Sequence, residues 1–154
     1  MSQVSVFVTD EQTDHEVDVS RWEELARRSL EDSGVTGSAE LSLLFVDEAT
    51  MAELNVEHMG EQGPTDVLSF PIDAEDVLTD EQDHHVLLGD VVICPAVAHR
   101  NAPGHAGTYP DEIALLTVHG ILHVLGHDHA EPEETMVMQA RERELLERFH
   151  RSVR

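Results

Sequence analysis

The chain has 154 residues, 40% of them apolar, and we predict one folded domain over residues 1–154. Its 32 acidic and nine basic side chains give a net charge of −23, which opposes non-specific binding to nucleic acid or to an anionic membrane. The start of the chain does not resemble a secretion signal, and no apolar run reaches the roughly 18 residues of a membrane span. Cys94 is the only cysteine, which excludes an internal disulfide. We therefore expect a cytoplasmic protein.

The spacing of apolar residues predicts both strands and helices along the chain. Four segments of alternating or continuous apolar residues predict strands over residues 5–9, 41–46, 65–71 and 86–94. Helices are predicted over residues 20–32, after Asp47 or Thr50, after Pro95, after Pro110, and over residues 133–149. Because helices and strands mix without a strict βαβ rhythm, we expect an α+β fold with a small mixed sheet of about four strands and about five helices.

The last two helices have contrasting patterns. The helix after Pro110 is apolar on almost every side, which predicts that it lies at the centre of the fold. In the closing helix we expect five apolar residues to face inward, namely Met136, Val137, Leu145, Leu146 and Phe149. We expect its acidic residues to pair with arginines on an exposed face: Glu142, Glu144 and Glu147 with Arg141, Arg143, Arg148 and Arg151. Contact of the same arginines with nucleic acid is the alternative. The acid-rich segment 72–85 is a candidate flap.

Four histidines lie within eleven residues at the end of the central helix. His119 and His123 are four apart, so on a helix their rings share one face and can hold one metal ion. A straight helix would carry His127 about 12 Å beyond His119, too far for the same ion. Gly126 can end the helix in the left-handed region, and the chain can then fold back to bring His129 to the ion. The sequence predicts a site of His119, His123 and His129 with an open coordination position.

The same spacing overlaps the zinc-protease pattern H-E-x-x-H-x-x-G-x-x-H, with one departure. Gly120 occupies the position of the glutamate that acts as general base in those proteases. Glycine has no side chain, so this base is absent. The departure disfavours peptide hydrolysis by the usual route and favours a different reaction with activated water.

Three blocks resemble the YbeY family of bacterial endoribonucleases in their order and spacing. They are Leu54-Asn55 followed by residues 64–71, then residues 88–95, and finally the histidine block at residues 119–129. The resemblance implies a hydrolase with one Zn²⁺ ion bound by His119, His123 and His129. It also implies cleavage of single-stranded ribosomal RNA, in 3′-end maturation of the small-subunit RNA and in ribosome quality control. The implied partners are ribosomal RNA and ribosomal proteins or assembly factors. Many members carry an arginine where this chain has Met59.

Zinc held by three neutral imidazoles keeps its double charge and lowers the pKa of bound water toward ~7. Either that water or the RNA 2′-hydroxyl is then the nucleophile, and the sequence leaves both routes open. Asp66 and Asp128 are candidate carboxylates that orient an imidazole, while a turn or cap role is equally expected for Asp66. We interpret His127 as a partly exposed turn residue or an outer-shell group, and His105 as solvated.

Two further functions compete with RNA cleavage. The ligand spacing is shared with zinc proteases, so a metal-dependent hydrolase of peptides or small molecules is one alternative. The other is a non-catalytic, ribosome-associated module whose fold is stabilised by zinc, with Met59 marking lost activity. Chelation would unfold such a module, and it would cleave no RNA.

Overall fold

The computed structural model describes residues 3–73, 85–127 and 130–151. Its strands and helices follow in chain order as β1 (Gln3–Asp10), α1 (Val19–Asp32), β2 (Ser38–Phe45), α2 (Glu48–Met59), β3 (Val67–Pro71), β4 (Val86–Ile93), α3 (Pro95–Asn101), α4 (Tyr109–Val124) and α5 (Pro132–Phe149). A short 3₁₀ turn, Ala102–Gly104, follows α3. The predicted α+β fold with four strands and five helices is therefore confirmed within these residues.

The four strands form one mixed sheet in the order β1-β2-β4-β3. The β1/β2 and β2/β4 pairs are parallel, and β3 pairs antiparallel with β4. Strand β3 lies at the edge of the sheet, next to α4, and the Ser69 hydroxyl on β3 donates a 3.1 Å hydrogen bond to the Gly120 carbonyl. This edge and the central helix form the walls of the site described below.

Alternating side chains of the sheet form two hydrophobic layers. One face of β1, β2 and β4 packs against α1, α4 and α5 in the main core, to which β1 contributes Val4 and Val6. A smaller cluster on the opposite face packs Met51 of α2 against Leu68 and Val92. Helix α4 is buried along most of its length, as its apolar sequence predicts. Within the described residues, no helix is both long and apolar enough to cross a membrane.

Gly120 permits a close approach between α4 and the sheet. A Cβ atom at this position would lie 2.5 Å from Val91 Cγ1 on β4 and 3.3 Å from the Ser69 hydroxyl. The 2.5 Å distance is far inside a normal carbon contact, so a larger residue would require the Val91 side chain to move. The Cβ atom of a glutamate at position 120 would clash with Val91 on β4, which is a structural reason for the missing protease base.

Two sequence-based expectations need correction, and a third lies mostly outside the described residues. Helix α1 begins at Val19, one residue before the predicted start, and Asp18 caps it by accepting a 3.2 Å hydrogen bond from the Arg21 amide. Met136 and Val137 are exposed, at 69% and 61%, because the inward face of α5 begins with Met138. The candidate flap falls mostly on residues 74–84, which lie outside the described residues.

Candidate active-site cleft

His119 and His123 stand on one face of α4, as their spacing predicts. Their ring centroids are 4.7 Å apart and the rings are inclined by 75°. Both side chains are half-buried and line a cleft of about 360 Å³ together with Met59 of α2 and residues of β3. Two imidazoles are therefore close neighbours at the wall of a solvent-accessible cleft.

Helix α4 ends where the glycine break was predicted. Gly126 has a φ of 103°, in the left-handed region. The His127 amide donates to the Leu122 carbonyl at 2.9 Å, and the Gly126 amide donates to the His123 carbonyl at 3.0 Å. These two bonds form a Schellman motif, which satisfies carbonyl groups at the helix end. The chain therefore leaves the helix axis at Gly126, three residues after His123, and His127 is half-buried in the turn.

Asp128 and His129 lie outside the described residues. Among residues 3–73, 85–127 and 130–151, no group of three or more His, Cys, Asp or Glu side chains is arranged to hold a metal ion. The predicted roles of His129 as third ligand and of Asp128 as an orienting carboxylate remain predictions.

A buried carboxylate holds one of the two imidazoles in place. Glu142 on α5 is 8% exposed, and its Oε2 lies 2.5 Å from His119 Nδ1. The expectation that Glu142 pairs with arginines on an exposed face is wrong, because this residue falls in the inward stripe of α5. Met138, four residues before it, and Leu145, three after it, are both buried. A carboxylate at helical spacing between two apolar residues was the sequence signal for this contact.

The contact also sets which nitrogen of His119 carries the proton. A carboxylate only accepts hydrogen bonds, so Nδ1 must donate, and the lone pair of the neutral ring is then on Nε2. Protein metal sites commonly hold an imidazole in this way, with a carboxylate on one nitrogen and the metal on the other. The chemistry of this pair fits a metal ligand.

Asp66 lies in the same cleft as His119, but with a different set of contacts. Its backbone carbonyl accepts a 2.9 Å bond from the Cys94 amide, which extends the β3/β4 pairing by one step. Its carboxylate accepts a 3.4 Å bond from the Thr65 hydroxyl. The carboxylate paired with His119 is therefore Glu142, and Asp66 contributes an acidic group to the cleft wall.

The cleft continues from His119 towards α5. This second part has a volume of about 480 Å³ and is bounded by β3, α4 and α5, with Asp66, His105, His119 and Glu142 in its lining. A further groove of about 360 Å³ shares His105 and Glu142 with this part, and Arg143, His150 and Arg151 join its lining. His105 was expected to be solvated; its side chain is 58% exposed but also contacts the buried Glu112. The lining thus combines imidazoles with the carboxylates of Asp66, Glu142 and Asp111, and arginines join it only in the last groove.

Most arginines near α5 are paired with acids, as expected for an exposed helix face. Arg141 contacts Asp32 at 2.9 Å and Glu144 at 2.6 Å, and Arg151 contacts Glu147 at 2.6 Å. Arg143, in contrast, forms no ion pair with any residue that the structure describes. It is exposed on the groove and is the cation best placed to meet an anionic ligand there.

The fold and the cleft together define an α+β protein whose central helix presents two histidines to an open cleft. The model of the family described as Endoribonuclease YbeY matches residues 7–150. The chain belongs to this endoribonuclease family, so it is a hydrolase that acts on RNA.

Relatives of high similarity agree with this membership. An Endoribonuclease YbeY from Frankia alni is 44% identical over 155 residues, covering 98% of this chain and 86% of the relative. Another from Thermobifida fusca is 49% identical over 137 residues, covering 88% of each chain. A solution structure of a Thermotoga maritima protein shares the fold, with a TM-score of 0.56 and 24% identity over 97% of this chain and 93% of that one.

Proposed function

We propose that the chain is a zinc-dependent endoribonuclease of the cytoplasm that cleaves single-stranded ribosomal RNA. Its role would be 3′-end maturation of the small-subunit RNA and ribosome quality control, together with ribosomal proteins or assembly factors. The observation that carries the metal requirement is the Glu142–His119 contact, because a buried carboxylate fixes the ring in the form that a metal ligand needs.

His119 and His123 would hold the ion through their ring nitrogens, and His129 would be the third ligand. When bound, the ion would supply a double positive charge that polarises phosphoryl oxygens and brings the pKa of a water ligand toward ~7. The part played by Glu142 is to keep the His119 ring oriented and to raise its basicity. The Schellman turn at Gly126 ends the helix before His127, and a third ligand at His129 requires such an end because a straight helix would carry it too far along the axis.

The groove beyond the histidines suits a flexible nucleic-acid strand. The parts lined by His119 have volumes of about 480 and 360 Å³, and the arginine-lined groove continues from the larger one. A chain with a net charge of −23 repels RNA as a whole, so local cations must hold the phosphates. Arg143 is a phosphate-binding candidate because no acid among the described residues pairs with it.

Gly120 supports RNA rather than a peptide as the substrate. The general base of zinc proteases is missing from the sequence, and in the structure this position packs against Val91 of β4. Hydrolysis of a phosphodiester by activated water does not need a carboxylate at that place.

The proposal is tested by metal analysis combined with a cleavage assay controlled by chelation. The purified protein should contain one zinc ion per chain and cleave a single-stranded RNA that spans the 3′ end of the small-subunit rRNA precursor. Chelation should abolish cleavage and added zinc should restore it. His119→Ala should lose both metal and activity, whereas His85→Gln should keep both, since His85 pairs with Glu40 at the sheet. Full activity without metal would refute the zinc requirement. Unfolding on chelation, with no cleavage of any RNA, would instead support the non-catalytic module.

A further inference from the structure

A second histidine–carboxylate pair lies in the cleft, at the other end of α4 from His123. Glu112, in the first turn of α4, has no exposed surface. Its carboxylate accepts a 3.0 Å hydrogen bond from the Ala106 amide and lies 2.8 Å from His105 Nδ1. A buried carboxylate needs such partners, because an unpaired charge in the interior is costly.

The imidazole of this pair faces the cleft. The His105 side chain is 58% exposed and lines the same cleft as His119, Glu142 and Asp66. Since Nδ1 is directed at the buried carboxylate, Nε2 is on the opposite edge of the ring, on its exposed side. A ring anchored at one nitrogen and accessible at the other has the arrangement of a proton-transfer group.

Holding the loop does not require the imidazole. The turn at residues 102–107 is already fixed by backbone bonds, with the His105 amide donating to the Ala102 carbonyl at 3.1 Å and the Gly107 amide to the same carbonyl at 2.7 Å. The Ala106 amide bond to Glu112 adds a further tether. Backbone bonds and the Ala106 amide thus hold the turn, while the His105 ring pairs with Glu112 and presents its exposed edge to the cleft, where a substrate can reach it.

We propose that His105, held by Glu112, is the general acid that protonates the leaving sugar oxygen during RNA cleavage. A new bond forms between the oxygen of the attacking water and phosphorus, and the bond between phosphorus and the ribose oxygen breaks. The electron pair of the broken bond goes to the ribose oxygen, which takes the proton from His105 Nε2. The water releases one proton to solvent, and solvent returns one proton to His105. The Glu112 carboxylate provides the negative partner for the protonated ring.

A leaving group that needs no proton separates this role from a structural one. The two substrates are a short single-stranded RNA with one mapped cleavage site and the same RNA with sulfur replacing the leaving oxygen at that site. A thiolate leaves without protonation. For His105→Gln we expect the cleavage rate of the oxygen substrate to fall by about 10²-fold or more, the usual contribution of general acid catalysis, and that of the sulfur substrate by less than about tenfold.

His85→Gln is the matched control, because it makes the same chemical change at an exposed histidine that pairs with Glu40 on β2. It should leave both rates unchanged. If His105→Gln slowed cleavage of both substrates equally, the proposal would be overturned and a structural role would remain. An unchanged cleavage rate on the oxygen substrate would also overturn the proposal. The thermal unfolding midpoint of His105→Gln, compared with wild type, shows whether the loop has been disturbed. The proposal concerns the leaving group. Zinc-free cleavage by the wild-type protein would therefore refute the metal requirement without affecting the ratio between the rate losses of His105→Gln on the two substrates.

Discussion

Replacing Glu142 by glutamine tests whether the buried carboxylate on α5 prepares His119 for metal binding. The substitution keeps the size of the side chain and removes its charge. The amide oxygen can still accept from His119 Nδ1, so the 2.5 Å contact becomes a neutral hydrogen bond. Hydrogen bonds with a charged partner contribute about 1.5–3 kcal/mol and neutral ones about 0.5–1.5 kcal/mol, so the loss is about 1–1.5 kcal/mol.

Partners of metal-ligating histidines typically contribute 10–100-fold to metal affinity, so for this partial loss we expect roughly tenfold weaker zinc binding, equivalent to about 1.4 kcal/mol. Glu142→Ala removes the contact altogether, and we expect a loss nearer to 100-fold, the upper end of the range for such outer-shell groups. The measurement is competition for zinc between the protein and a fluorescent chelator at neutral pH. Nitrogen NMR of the imidazoles in the metal-free protein reports directly which nitrogen of His119 carries the proton.

Glu144→Gln is the control, because Glu144 lies on the same helix but pairs with Arg141 on the exposed side. Its zinc affinity should equal that of the wild type. If Glu142→Gln bound zinc as tightly as Glu144→Gln does, the carboxylate would have no part in preparing the ligand. A change in affinity accompanied by loss of the folded state, followed by circular dichroism, would point to a packing role instead.

Three further predictions concern packing, acid stability and the cleft wall. Gly120→Ala gains about 1 kcal/mol of helix propensity but loses about 1–3 kcal/mol from the clash with Val91, so the free energy of unfolding in urea should fall by about 1 kcal/mol. Adding Val91→Ala to this variant should relieve the clash. A Gly120→Ala variant more stable than the wild type would contradict this. Burial and two neighbouring guanidinium groups lower the pKa of His150 from 6.5 to about 4, so the unfolded chain binds more protons between these values. Wild-type stability should therefore decline by up to about 3 kcal/mol more than that of His150→Asn as pH falls from 6.5 to about 4, and parallel pH curves would disprove the assignment. Met59→Arg adds a cation to the wall of the cleft that His119 and His123 line, and should raise the efficiency of RNA cleavage by about tenfold, equivalent to one charge-assisted contact. Val56→Arg, at another exposed position of the same helix, should have no such effect, and equal gains in both variants would indicate general electrostatic attraction.

Local sequence was sufficient to predict burial and helix ends wherever the pattern lies within a single strand or helix. The alternating valines of β1 and the continuous apolar surface of α4 predicted which residues are buried. Gly126 predicted the helix end, because the left-handed conformation that closes a Schellman motif favours glycine. The position of His119 and His123 on one face follows from the helical period alone.

These local patterns could not predict contacts between elements that are distant in sequence. Glu142 was expected on an exposed face, since its neighbours in sequence, Arg141 and Arg143, are charged. Its real partner, His119, is 23 residues away on another helix. The inward face of α5 also begins later than expected, which leaves Met136 and Val137 exposed. Such errors arise because a helix pattern gives the width of the apolar stripe more reliably than its rotation against a neighbour.

The sequence by itself determined the elements, the mixed α+β class, the helical pairing of two histidines and, through three blocks in order, the family. Only the packing of α5 and of the 102–107 turn against α4 decided which carboxylates reach the imidazoles. The physical reason is that periodicity acts over a few residues, whereas a buried ion pair depends on two elements meeting in one orientation. The pair of Glu142 with His119 and the pair of Glu112 with His105 both depend on such packing.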